Sequence, residues 1–199
     1  MSYNVVESTN SYGAKCMSFQ ATADIENGML ISKGSLVAGE TDIYVAGVPT
    51  TSTEVYLVDT PAWSYDDNKA TDQNEENFIN KAGIPFRGRQ LKKDNKFTTY
   101  STGITPISTT SGSGESAVTT ETALAKGQYV TIDGTTNKPK AVATAPSTGF
   151  YGVITDIKDL GFPYCVGSAG TSVTIGSTNM GYAIDTRVSK VTIEVVKNV

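Results

Sequence analysis

Short runs of β-branched and aromatic residues, broken about every 8–12 residues by glycine, proline or asparagine, set the rhythm of the chain. Met29-Leu30-Ile31 lies between Asn27-Gly28 and Lys33-Gly34. Ile43-Tyr44-Val45-Ala46 runs into Gly47-Val48-Pro49, and Glu54-Val55-Tyr56-Leu57-Val58 stops at Asp59-Thr60-Pro61. This is the pattern of a β-barrel or β-sandwich rather than of alternating strands and helices. In the run ending at Val58, either Val55 and Leu57 or Tyr56 and Val58 can face a core. The alternation does not choose between them, as it would not in a strand covered on both faces.

The second half repeats the style. Gln128-Tyr129-Val130-Thr131-Ile132 closes at Asp133-Gly134, and Lys140-Ala141-Val142-Ala143 reads as another strand. Phe150-Tyr151-Gly152-Val153-Ile154 is a third, where Gly152 permits a bulge or close backbone approach. Val173-Thr174-Ile175 and the alternating Lys190–Val196 complete the set, the latter as a half-buried strand that holds the C-terminus. An internal echo joins the halves. Glu26-Asn27-Gly28-Met29-Leu30-Ile31 resembles Ala125-Lys126-Gly127-Gln128-Tyr129-Val130: a glycine, one spacer, then a β-forming pair. Lys33-Gly34-Ser35-Leu36-Val37 also repeats the Lys-Gly-x-x-Val arrangement of Lys126-Gly127-Gln128-Tyr129-Val130. A true echo implies two copies of one small barrel-like unit.

Two stretches break the rhythm. From Trp63 to Glu76 the chain is polar and acidic; Asp72 and Glu75 offer a box-like helix start, and Ala82-Gly83 a stop. A basic run follows, Arg87-Gly88-Arg89-Gln90-Leu91-Lys92-Lys93-Asp94-Asn95-Lys96. The Ser/Thr/Gly-rich segment around Ser111-Gly112-Ser113-Gly114 reads as a linker or long loop. The expected organisation is a β-rich region over 1–105 with a long excursion over 63–96, a linker or loop over 106–122, and a barrel-like region over 123–199. The fold class is all-β: small barrel or sandwich units with long loops and at most one short helix.

Composition narrows the chemistry. Among 199 residues there is no histidine, and the two cysteines, Cys16 and Cys165, stand far apart with no ligand-like neighbours. The side chain that titrates near neutrality is missing, and with it the Ser-His-Asp and Cys-His arrangements. The expectation is a non-enzyme with no catalytic residue, no cofactor and no metal, its cysteines free thiols. A formal net charge of -4 argues against nucleic acid as a partner. No charged segment followed by an apolar one opens the chain, and no run of 18 apolar residues occurs, so neither a signal peptide nor a membrane span is expected.

Asp66, Asp67, Asn68, Asp72, Glu75 and Glu76 are the natural place to look for calcium. Counted from Asp66, the sixth position is Thr71 and the twelfth Asn77, where an EF-hand needs glycine and glutamate. The default is a solvated acidic loop. Trp63, Tyr65 and Tyr100 offer stacking surface for a sugar, with no carboxylate spacing that demands glycosidase chemistry. An acidic stretch followed by a basic one, each too polar for a core, suits a partner-facing surface instead. The suspected interface is Trp63, Tyr65, Asp66, Asp67, Glu75, Glu76, Arg87, Arg89, Lys92, Lys93 and Lys96. The glycine-rich pieces at 112–115 and 167–171 lack phosphate-loop spacing.

Lys126-Gly127-Gln128-Tyr129-Val130, Lys138-Pro139-Lys140-Ala141-Val142-Ala143 and Gly149-Phe150-Tyr151-Gly152-Val153-Ile154 together resemble the core of small β-barrel proteins that decorate or cement tailed-bacteriophage capsids. The resemblance spans about thirty residues between Leu124 and Asp156. It implies a non-enzymatic head auxiliary protein, made in the host cytoplasm and placed on the capsid surface. Its implied partners are the major capsid protein and further copies of the chain, with neither nucleic acid nor membrane. The chain departs from that pattern in its long first half, which leaves a tail or head-fibre component in play. The other reading carried forward is a carbohydrate- or host-surface-binding β module.

Overall fold

The computed structural model describes residues 4–62, 78–111, 118–159, 165–166, 172–175, 178–184 and 189–199. Among them the regular elements are strands, apart from one 3-10 turn over Ser101–Gly103. The fold is all-β. β1 (Val6–Asn10) precedes β2 (Cys16–Gln20), β3 (Leu30–Leu36), β4 (Ile43–Gly47), β5 (Val55–Val58) and β6 (Phe86–Gln90). The last five close a barrel in the order β2-β4-β3-β5-β6. The β2–β4 pair is parallel and the other four contacts are antiparallel. Closure leaves this unit without a free strand edge.

The rest of the chain builds a second unit on the same plan. It comprises β7 (Lys96–Tyr100), β8 (Ile107–Ser111), β9 (Val118–Thr122), β10 (Tyr129–Ile132), β11 (Pro139–Val142), β12 (Tyr151–Asp159), β13 (Cys165–Val166), β14 (Ser172–Ile175), β15 (Thr178–Ile184) and β16 (Ser189–Lys197). A six-stranded sheet runs β1-β7-β16-β12-β10-β11. It curls until Thr105, just beyond β7, forms a parallel bridge with Lys140 of β11. Strands β7, β10, β11, β12 and β16 therefore have the same neighbours, in the same senses, as β2, β3, β4, β5 and β6. The insertions differ. β8 and β9 pair as a two-stranded ribbon between β7 and β10, and β13-β15-β14 form a small sheet between β12 and β16.

Of the two echoes, the one around Gly28 marks this duplication; Lys33 and Gly34 lie within β3 and have no counterpart in the Lys126-Gly127 turn. Gly28 and Gly127 sit in matching turns at φ +87° and +84°, where a side chain would be strained. The Gly28 N–H donates to Val58 O (2.8 Å) and the Val58 N–H to Met29 O (2.9 Å). In the second unit Gly127 donates to Ile154 O (2.8 Å) and Ile154 to Gln128 O (2.9 Å). The same two bonds thus fix β3 against β5 and β10 against β12. The pairs Leu30↔Leu57 and Tyr129↔Val153 become equivalent.

Strand β5 is buried on both faces, which is why its alternation was uninformative. Tyr56 and Val58 point into the first barrel with Phe19, Ile31 and Phe86. Val55 and Leu57 point outward with Leu30 and pack on Phe97, Val130, Phe150, Ile154, Val191, Ile193 and Val195 of the second unit. Each such fully buried aliphatic side chain contributes about 1.5–3 kcal/mol. Polar bonds seal the junction: Leu30 N–H donates to Asn137 O at 2.7 Å, and the Asn198 side chain bonds both backbone groups of Val55. Strands from before and after the Ser/Thr/Gly-rich segment share one sheet, since β16 pairs with β7 and β12.

Three buried asparagines knit the connections. Asn4 Nδ2 donates to Asn27 O, while Asn4 Oδ1 accepts from Thr99 Oγ1 and the Tyr100 N–H. Asn27 bonds both backbone groups of Thr60 and accepts from Asn80 Nδ2. Asn80 bridges Ile25. The helix expected to end at Ala82 is thus absent over 78–82, because Asn80 spends its backbone on Ile25; its start at Asp72 lies outside the described residues. Gly83 does take a left-handed conformation, φ +73°, but in a turn.

Candidate functional site

The basic run separates once it is folded. Phe86, Gly88 and Gln90 are the buried positions of β6, so alternation turns Arg87 and Arg89 outward. Both meet Asp59, which follows β5 and is 8% exposed. Arg89 Nε donates to Asp59 Oδ2 at 2.7 Å and Arg87 Nη2 to Oδ1 at 3.3 Å. Ser8 of β1 donates to the same Oδ2 at 3.2 Å, which ties the sheet edge to the first barrel. Lys96 pairs with Glu194 at 2.9 Å across β7 and β16. Lys92 and Lys93 are exposed on the β6–β7 turn. Asn95 pins that turn, accepting from the Lys92 N–H and donating to Tyr12 O.

Of the suspected interface, then, Arg87 and Arg89 share one carboxylate, and Lys92 and Lys93 form a small solvent-facing basic tip. Trp63, Tyr65, Asp66, Asp67, Glu75 and Glu76 lie outside the described residues. Tyr100 ends β7, half-buried. Sequence reasoning missed Asp59 and Ser8, which are remote from the arginines in the chain. No local signal marks them; only closure of the barrel and the β1–β7 pairing bring them there.

A cleft of about 550 Å³ opens beside Arg87, along β2, β4 and β6. Met17, Ser18, Asp42 and Tyr44 line it, with exposed Cys16 at its rim. Lys33 Nζ lies 3.9 Å from the centre of the Tyr44 ring on the same strand pair. The walls offer an aromatic face, a carboxylate and a guanidinium already engaged by Asp59. Such a set, with the Cys16 thiol beside it, could hold a ligand by shape and polarity.

The carboxylates with displaced pKa values belong to turns and ion pairs. Asp133 is held below the usual carboxylate range by the Thr135 N–H and by the hydroxyls of Thr136 and Thr105. Asp156 is lowered by Lys126, at 2.6 Å, and by Lys158. Asp24 is lowered by the Ala82 N–H and Lys81. Inside the first barrel, burial and the Glu54 carboxylate push the Tyr56 hydroxyl up to about 12; it donates to Glu54 at 2.9 Å. Among the described residues, no three His, Cys, Asp or Glu side chains are placed to hold a metal. Comparison with known protein families, with curated proteins and with solved structures finds no match.

Proposed function

We propose that the chain is a non-enzymatic structural protein of a virion, seated on the outside of a phage capsid through protein–protein contacts. Its partners in this reading are the major capsid protein and further copies of itself. The observation that carries the proposal is the β8–β9 ribbon. It is rich in threonine and serine, residues 108–111 and 119–122 are exposed, and Thr110 and Thr119 hydrogen-bond across it at 3.0 Å. A two-stranded ribbon is marginal in water by itself, and its outer edges carry backbone groups ready to pair with another chain. Such an arm beside the shared core of the two units suits a protein that works by being held against a surface. The resemblance between Leu124 and Asp156 falls on β10, β11 and β12 and supports the same reading. Many weak contacts repeated over a closed shell then give firm attachment.

The test is to mix the purified chain with phage heads that lack it, sediment the particles and image them at a resolution that traces its backbone. Density at repeated capsid positions is expected. Replacing 107–122 by a short Gly-Ser connection should abolish co-sedimentation and leave the barrels folded. A chain absent from every particle, and instead retained on immobilised glycans, would overturn the proposal in favour of a sugar-binding module.

A further inference from the structure

The duplication places two equivalent faces in one chain, and among the described residues only one of them is fully buried. In the first unit Leu30, Val55 and Leu57 form the outer face of β3 and β5, each 0% exposed. The end of the second barrel, where the β10–β11 turn carries Asn137, lies against them. Carried through the shared hydrogen-bond pattern, their counterparts are Tyr129, Tyr151 and Val153 on β10 and β12. These three are only half-buried, as is Val142 opposite Tyr129, and neither core includes them. The two tyrosine rings meet edge-on at 6.2 Å, so the patch is preassembled as one apolar surface.

We propose that this face is the docking surface for a second copy of the chain, and that it receives the β3–β4 turn at the end of that copy's first barrel. The template is the chain itself: the β10–β11 turn connects the strands equivalent to β3 and β4, and it is what meets Leu30 within one molecule. The β3–β4 turn is open to solvent, and Leu36, which ends β3 at its start, is an aliphatic side chain 47% exposed. Charge agrees with the pairing. Glu40 and Asp42 follow Leu36 on the turn, whereas Lys140 and Lys197 border the tyrosine patch and Glu194, opposite Val153, is already paired with Lys96. Face and turn are different surfaces, so the contact is head-to-tail and builds a ring or a filament rather than a two-fold dimer. The inference concerns the free chain in solution and does not rest on the virion reading.

Sedimentation velocity over a concentration series tests it. The wild-type chain should gain mass with concentration, and more so at low salt. Tyr129→Glu, in the face, and Leu36→Glu, in the turn, should each weaken association by about ten-fold or more without changing the thermal unfolding midpoint. Tyr129→Ser, a milder change, should weaken it in the same direction. Mixing Tyr129→Glu with Leu36→Glu should restore a dimer, because one chain keeps the face and the other keeps the turn. The proposal is overturned by a wild-type chain that stays monomeric throughout, by Leu36→Glu associating as well as wild type, or by a mixture that gives no dimer.

Discussion

Replacing the two equivalent turn glycines by alanine should have very unequal effects. Gly28 and Gly127 share nearly the same backbone, φ +87° and +84°, so alanine meets the same left-handed strain at both, about 1–2 kcal/mol. The gain from a stiffer unfolded chain is also common to both and drops out of the comparison. Their surroundings differ. A Cβ at Gly127 meets nothing within 4 Å, whereas at Gly28 it would stand 2.2 Å from Asn4 Nδ2 and 3.0 Å from Val6 Cγ2. Asn4 has no room to retreat, because its other side is pressed on Gly103. Displacing it breaks its bonds to Asn27 O, Thr99 Oγ1 and the Tyr100 N–H. At about 1 kcal/mol net for each, Gly28→Ala should cost about 3 kcal/mol more than Gly127→Ala. For a chain of this length that difference is about 6–12 °C in Tm. Scanning calorimetry of the two variants side by side measures it directly. Equal Tm values would show that the Asn4 network contributes nothing at this junction and would refute the reasoning.

Other consequences follow from the same geometry. Asp59→Ala should lower stability by about 1–3 kcal/mol in urea unfolding, since Arg89 and Ser8 lose their acceptor and Arg87 keeps only its Nε bond to the backbone carbonyl of residue 59; Lys92→Glu with Lys93→Glu, on the exposed tip, should stay within about 0.5 kcal/mol of wild type. Leu57→Ala should cost about 2–5 kcal/mol, because it opens the core that joins the two barrels. Stability should fall at both extremes of pH in Tm measurements. Asp133 and Asp156 have folded pKa values below their unfolded ones, so their contribution is present above about pH 4 and is lost as pH drops through the lowered values. Tyr56 is raised, so its contribution holds below about pH 10 and is lost as pH climbs towards about 12. Tyr56→Phe should flatten the alkaline limb alone.

What the sequence determined by itself was the local grammar. Val, Ile and Tyr runs between glycine and asparagine breakers became β3, β4, β5, β10, β11 and β12. The echo around Gly28 and Gly127 was legible because a left-handed turn residue has few substitutes and must recur wherever the turn recurs. Gly152 was readable for a similar reason, since a Cβ there would lie 2.8 Å from Glu194 O. Strands such as Cys16–Gln20, Phe86–Gln90 and Lys96–Tyr100 carried no comparable mark. Arg87 and Arg89 looked like surface charge, yet the residues between and beside them fill a barrel. The polar residues of these strands are satisfied by partners far away in the chain: Arg89 by Asp59, Lys96 by Glu194, Thr98 by Thr192.

Only the tertiary structure decided how the two units share their cores and which of two equivalent faces is covered. Leu30 and Tyr129 hold the same place in the same motif, but one is sealed under a neighbouring barrel and the other meets solvent. Burial is a property of what lies opposite a residue rather than of the residue or its neighbours in sequence, so it is set when distant strands meet.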